Sequence, residues 1–155
     1  MWIDSTALCT DEDFFRYASK QHLFVFKQLN LGNQGEAPII ASSWFISSEI
    51  GNPIVVLTRN LLYAYWQDYD YLLNYFAFHL FFTMACRRYE NEWESIPAFN
   101  NSSPHMLMFE LKRDYSSERW EQLMKMSGIH KLQRYDDYSD LKKSNYCKIL
   151  DTYLQ

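Results

Sequence analysis

The stretch from Leu61 to Arg88, LLYAYWQDYDYLLNYFAFHLFFTMACRR, constrains this chain more than any other. From Leu72 to Cys86 it is apolar except for Asn74, His79 and Thr83. As a helix that run would rise about 22 Å, short of the ~30 Å hydrocarbon core of a bilayer. Asp68 and Asp70 precede it and Arg87 and Arg88 follow it, which suits the helix dipole at both ends. A helix apolar nearly all round must be wrapped by other elements. The expectation is a central buried helix in a soluble domain. On that helix Asp70 and Asn74 would lie about 40° apart and share a face, with His79 about 140° round from Asn74. Asn74 and His79 then read as hydrogen-bonded core groups, or Asn74 with Asp70 as polar groups facing a cleft.

A chain of 155 residues is one domain, long enough for a real core. Aromatic residues make up 18% of it, with 12 Tyr and 11 Phe, which suits saccharide or nucleotide contacts as well as simple core filling. A net charge of −4 and no Lys/Arg cluster beyond a pair argue against a nucleic-acid groove. Cys9, Cys86 and Cys147 are odd in number and lack a CxxC spacing. Neither a zinc site nor a disulfide framework is expected, and a reducing compartment is the natural reading. No charged leader with an apolar run opens the sequence, and no stretch reaches transmembrane length. The expected location is cytoplasmic, with peripheral membrane association through a partner left open.

In chain order, Trp2-Ile3 reads as the end of a strand with Asp4-Ser5-Thr6 after it, and Asp11 to Tyr17 as a capped helical turn. Leu23 to Phe26 is a strand, followed by a loop holding Gly32, Asn33 and Gly35. Ile39 to Ile46 is a second strand, interrupted by the small residues Ala41, Ser42 and Ser43. Asn52 caps a helix with Pro53 at its first position, reaching about Trp66. Ser95 to Ser103 is a loop. Ser103 then caps a helix that opens on Pro104, and Ser116 or Ser117 caps the next, which Gly128 stops. Ile129 to Leu132 is a short strand or loop, and Tyr138 to Gln155 ends in a helix. So many helices against two or three short strands suit the helix-rich C-terminal part of a larger α/β domain whose sheet begins before Met1.

Several segments recur in an order that carries a resemblance. They are Trp2 to Thr6, Ser43 to Ile46, Tyr65-Trp66, Asn74 to His79, Trp93, Ile96-Pro97, Asn100, Pro104-His105 and Ile129 to Leu132. The chain resembles the capsular polysaccharide synthesis protein family, sugar transferases akin to glycosyltransferase family 32 with a GT-A-like nucleotide-sugar fold. The likeness runs over essentially the whole chain but covers only the second part of the family's domain. The resemblance implies transfer of a sugar from a nucleotide sugar, a UDP-sugar being the expected donor, to a saccharide acceptor in bacterial surface-polysaccharide assembly.

The same resemblance places roles residue by residue. Asp4 looks like the acidic position of the family's Gly-Gly-x-Trp-Ile-Asp-x-Thr segment, which in related transferases bears a divalent metal on the diphosphate. Mn²⁺ or Mg²⁺ takes carboxylate and phosphate oxygens, which agrees with that role. Thr6 stands where a second acid would complete an Asp-x-Asp pair, so metal affinity from this loop alone should be modest. His130 looks like a late metal ligand and Lys131 like a diphosphate partner. Asn74 replaces the acid of the family's Asp-Tyr-Phe-Leu-Phe-His segment and cannot take a proton, so Asp70 is a conceivable substitute, with Trp44 on the sugar or acceptor side. Plainer alternatives are a strand-end turn or cap for Asp4, a satisfied histidine for His130 and a solvated side chain for Lys131.

A reading of a different class also fits. The missing Gly-Gly and the Asn at position 74 are compatible with a truncated, non-catalytic remnant or with an interaction module that pairs with a separate nucleotide-binding chain. Exposed apolar surface where a missing sheet should dock would then predict self-association.

Overall fold

The computed structural model describes residues 1–27, 29, 39–133 and 142–153. The first half contains β1 (Trp2–Ile3), β2 (Ala7–Cys9), α1 (Glu12–Ser19), β3 (Leu23–Val25), β4 (Phe45–Ser48) and α2 (Pro53–Asp68). The second half contains α3 (Ala77–Arg88), α4 (Glu90–Ser95), α5 (Ser102–Glu110), α6 (Ser117–Met126), β5 (Ile129–Lys131) and α7 (Asn145–Tyr153). The fold is thus mixed and helix-rich, with small antiparallel sheets. Among the described residues no helix is long and apolar enough to cross a membrane.

The chain forms two compact units, Met1–Ile3 with Arg16–Asn101, and Asp4–Phe15 with Ser102–Gln155. In the first unit a three-stranded antiparallel sheet runs in the order β1-β4-β3, with Trp2 opposite Ile46 and Val25 opposite the same residue. The core joins Leu23 and Val25 of β3, Ile54 of α2, Phe82, Ala85 and Cys86 of α3, Trp93 of α4 and Ile96. Asn52 fastens this arrangement. Its Oδ1 accepts from the Ile54 and Val55 amides at 3.1 and 3.3 Å, and its Nδ2 donates to the His22 carbonyl and to Glu92. A side chain that caps a helix and joins two further segments is buried because every polar atom has a partner.

In the second unit β2 pairs antiparallel with β5, Leu8 opposite His130. Leu107 and Leu111 of the α5 region, Leu123 of α6 and Ile149 of α7 form the core beneath. Ser116 caps α6, and Gly128 follows it where no side chain fits. A Cβ there would come within 2.8 Å of the Cβ atoms of both Asp11 and Phe14. The Gly128 carbonyl accepts from the amides of Thr10 and Asp11.

Several sequence expectations need correction. The central helix does not run from Leu72 to Cys86. It begins at Ala77, and Leu72, Leu73 and Tyr75 are exposed rather than wrapped. The cause is local: Asn74 Oδ1 accepts the Phe76 amide at 2.7 Å, an Asx turn that competes with helix continuation. Asp70 and Asn74 therefore share no helix face, since both lie before α3. The helix itself is amphipathic, burying Ala77, Phe82, Thr83, Ala85 and Cys86 while exposing Met84, Arg87 and Arg88. The second strand starts at Phe45 rather than Ile39, and α5 begins at Ser102, one residue before its expected cap. Gly32, Asn33 and Gly35, and the start of the last expected helix at Tyr138, lie outside the described residues.

A candidate functional site at Asp4 and Lys131

Directly after β1 the chain turns over Ser5 and Thr6, closed by a bond from the Ala7 amide to the Asp4 carbonyl at 3.0 Å. An Asp two residues before a Thr can fold back on the backbone, and here it does. Asp4 Oδ1 accepts the Thr6 amide at 2.8 Å and the Thr6 hydroxyl at 2.6 Å. The β2–β5 pairing sets Ala7 opposite Lys131, and the Leu132 amide donates to the Thr6 carbonyl at 2.7 Å. That register delivers the Lys131 ammonium to Asp4 Oδ1 at 3.2 Å and to the Thr6 hydroxyl.

All three donors converge on one oxygen of the carboxylate, and among the described residues none bonds Oδ2. Partial burial pushes the Asp4 carboxyl upward, but the hydrogen bonds from Thr6 and the charge of Lys131 outweigh it and hold it below its ordinary value. The Lys131 side chain is 19% exposed and that of Asp4 37%, so the pair is partly screened from water yet reachable. The arrangement can present the ammonium to a small anion and a carboxylate oxygen to that anion's counter-cation.

His130 precedes Lys131 on β5, so its side chain leaves the strand on the opposite face. It is fully buried, with Nε2 3.2 Å from the Thr10 hydroxyl, either group donating according to the tautomer. Burial drives its pKa down to about 4, partly opposed by the Ser127 backbone, although Nδ1 makes no hydrogen bond of regular geometry. The ring is neutral at physiological pH. Asp4 and Lys131 are brought together, whereas His130 sits behind the strand.

The other candidates belong to the first unit. Asp70 is exposed on the connection between α2 and α3, and Asn74 holds the turn that starts α3. Trp44 is a core residue, its ring stacked on Phe26 at 4.7 Å beside Phe45. His79 is half-buried, and that burial lowers its pKa against a hydrogen bond with the Ala41 backbone. Thr6, expected only as the place of a missing acid, proves to bond both Asp4 and Lys131. The signal was present in the Asp-x-Thr spacing, which forms side-chain-to-backbone turns.

As for a divalent cation, no group of three or more His, Cys, Asp or Glu among the described residues could hold one. Mg²⁺ sites, however, are commonly built from one or two carboxylates with the remaining oxygens from substrate phosphates and water. Asp4, with Oδ2 unbonded among the described residues, fits that kind of shared site and no tighter one.

Comparison with curated proteins gives no match, and comparison with solved structures gives none either. The family described as capsular polysaccharide synthesis protein matches residues 1–150, nearly the whole of the chain, so the protein belongs to that family and with it to capsule biosynthesis.

Proposed function

We propose that the chain serves sugar transfer from a nucleotide sugar within capsule synthesis, on a GT-A-like scaffold, with Asp4, Thr6 and Lys131 at the diphosphate end of the donor site. The observation that carries this reading is the Lys131 ammonium held on Asp4 Oδ1 while, among the described residues, none bonds Oδ2. Sugar transfer builds negative charge on the departing diphosphate, so the site must offer fixed positive charge there. Lys131 supplies it as a compact point charge, and Thr6 keeps it in place through its hydroxyl. Asp4 anchors the ammonium from below and holds a carboxylate oxygen toward the phosphates. A bound Mg²⁺ or Mn²⁺ would neutralise further charge on the leaving group. His130 supports β5 from its buried face in this reading and does not meet the cation.

The test is a thermal melt of residues 1–155 with UDP, with Mn²⁺ and with both, beside Asp4→Asn and Lys131→Met. Native-state binding at a hundredfold excess over the dissociation constant stabilises by about 2.7 kcal/mol. The expected shift requires both ligands, loses its metal dependence in Asp4→Asn and weakens in Lys131→Met. A cooperative melt that none of these additions moves would refute the donor-site assignment and favour a non-catalytic module.

A further inference from the structure

A concave feature lies wholly in the first unit and shares no residue with the Asp4–Lys131 pair. Ile46 of β4, Val55 and Leu62 of α2, and Phe78 and Phe82 of α3 wall a cavity of about 170 Å³. Its floor is dry in character. Phe82 and Thr58 are buried there, and the Thr58 hydroxyl is spent on the Ile54 carbonyl of its own helix at 2.8 Å. Water needs two to four polar partners to settle in such a space, whereas an apolar cavity of about 150 Å³ takes a benzene-sized guest. The guest that fits is hydrocarbon.

The mouth differs from the floor. Arg59 and Tyr63, one turn apart on α2, line the cavity and are exposed. Arg59 bonds the neutral amide oxygen of Asn60 through Nε and one terminal nitrogen, and no carboxylate pairs with it among the described residues. A cation without an acidic partner at the rim of an apolar cavity is complementary to an anionic head on an apolar tail. The lining stripe of α2 also continues past Leu62 to Trp66, which is 48% exposed. Beyond it Tyr71, Leu72, Leu73 and Tyr75 stand in solvent. Their backbone is tied down by the Tyr65 hydroxyl, which donates to the Tyr71 carbonyl and accepts from the Leu73 amide. Exposed Trp and Tyr side chains are the residues enriched at a membrane–water boundary.

We infer that the α2–α3 cavity binds an anionic amphiphile, its hydrocarbon chain against Phe78 and Phe82 and its head group on Arg59. The test titrates the full chain, by tryptophan fluorescence and below micelle-forming concentrations, with dodecyl phosphate, dodecyl maltoside and inorganic phosphate. Saturable binding of dodecyl phosphate is expected, roughly fivefold tighter than dodecyl maltoside, as a partly exposed ion pair contributes. Inorganic phosphate gives no response. Arg59→Gln, a surface change, removes the fivefold preference and leaves dodecyl maltoside binding intact. Leu62→Trp fills the cavity and abolishes binding of both alkyl probes. Should that variant lose its cooperative melt, Arg59→Gln alone decides.

Flotation with phosphatidylcholine vesicles, with and without phosphatidylglycerol, separates the sources of the ligand. Co-flotation on the anionic vesicles assigns it to a bilayer, and binding of dodecyl phosphate without flotation assigns it to a dispersed amphiphile. Equal binding of dodecyl phosphate by wild type and Arg59→Gln would overturn the inference. So would a dimer in sedimentation that Leu62→Trp dissolves, since the cavity would then be a contact between copies. None of these probes carries a nucleotide, so the outcome is independent of the donor-site reading.

Discussion

Acidification should destabilise this protein through His130. The ring is fully buried, and its pKa falls from 6.5 to about 4 in the folded state. The unfolded chain takes up a proton that the native state refuses. Stability from this group is therefore complete above pH 6.5 and declines as the pH drops toward 4, the window set by the two values. At pH 5 the loss from this one side chain is about 2 kcal/mol, rising to about 3 kcal/mol once the native ring titrates. Urea unfolding between about pH 7.5 and 5, on wild type and His130→Gln, isolates the term. His79 and the carboxylates contribute equally to both proteins and cancel in the difference. The wild type should lose stability faster than the variant as the pH falls, and the His130 ring proton should titrate in NMR well below that of exposed His22. A wild-type-minus-variant difference that stays flat, or a His130 midpoint near 6 or above, would refute the burial argument.

Two further outcomes test the packing. Asn52→Ala removes the cap of α2 and the bonds to the His22 carbonyl and Glu92, and should cost about 2 kcal/mol in urea unfolding. A loss below about 0.5 kcal/mol would place it with ordinary surface changes and count against the network. Gly128→Ala forces a methyl to within 2.8 Å of the Asp11 and Phe14 Cβ atoms and should cost roughly 1–3 kcal/mol by the same assay. A neutral result would show that the turn after α6 yields freely.

Local chemistry was legible in the sequence where it acts over a few residues. Asn52-Pro53 announces the start of α2 because an amide cap and a residue lacking an N–H satisfy the same helix end. Ser116 and the strand at Leu23 are legible for similar reasons. The apolar run from Leu72 misled because hydrophobicity alone cannot distinguish a buried helix from an exposed turn. Only the Asn74 side chain, bonding two residues ahead, decides it. At the candidate site the resemblance alone singles out Asp4, His130 and Lys131, setting Asp4 with His130 on a metal and Lys131 on the diphosphate; what joins Asp4 to Lys131 is the β2–β5 register, which no local pattern encodes. The same register separates His130 from them, since adjacent strand residues point to opposite faces. Trp44 shows the limit for aromatics: the sequence cannot tell a stacking platform from a core ring, and packing on Phe26 makes it the latter.

The first ten residues of the chain supply β1 to one unit and β2 to the other, and both strands wait for distant partners. Trp2 pairs with Ile46, and Ala7 with Lys131. Contacts this remote in sequence slow folding, although each doubling of a closing loop adds only about 0.6 kcal/mol of entropy. During synthesis the Asp4–Thr6 turn can form as soon as it is made, because its bonds span two residues. The ammonium that completes the clamp arrives 127 residues later. The charge arrangement proposed for donor binding is thus assembled only after Lys131 has been made, and a nascent chain shorter than this carries the carboxylate without its counter-charge.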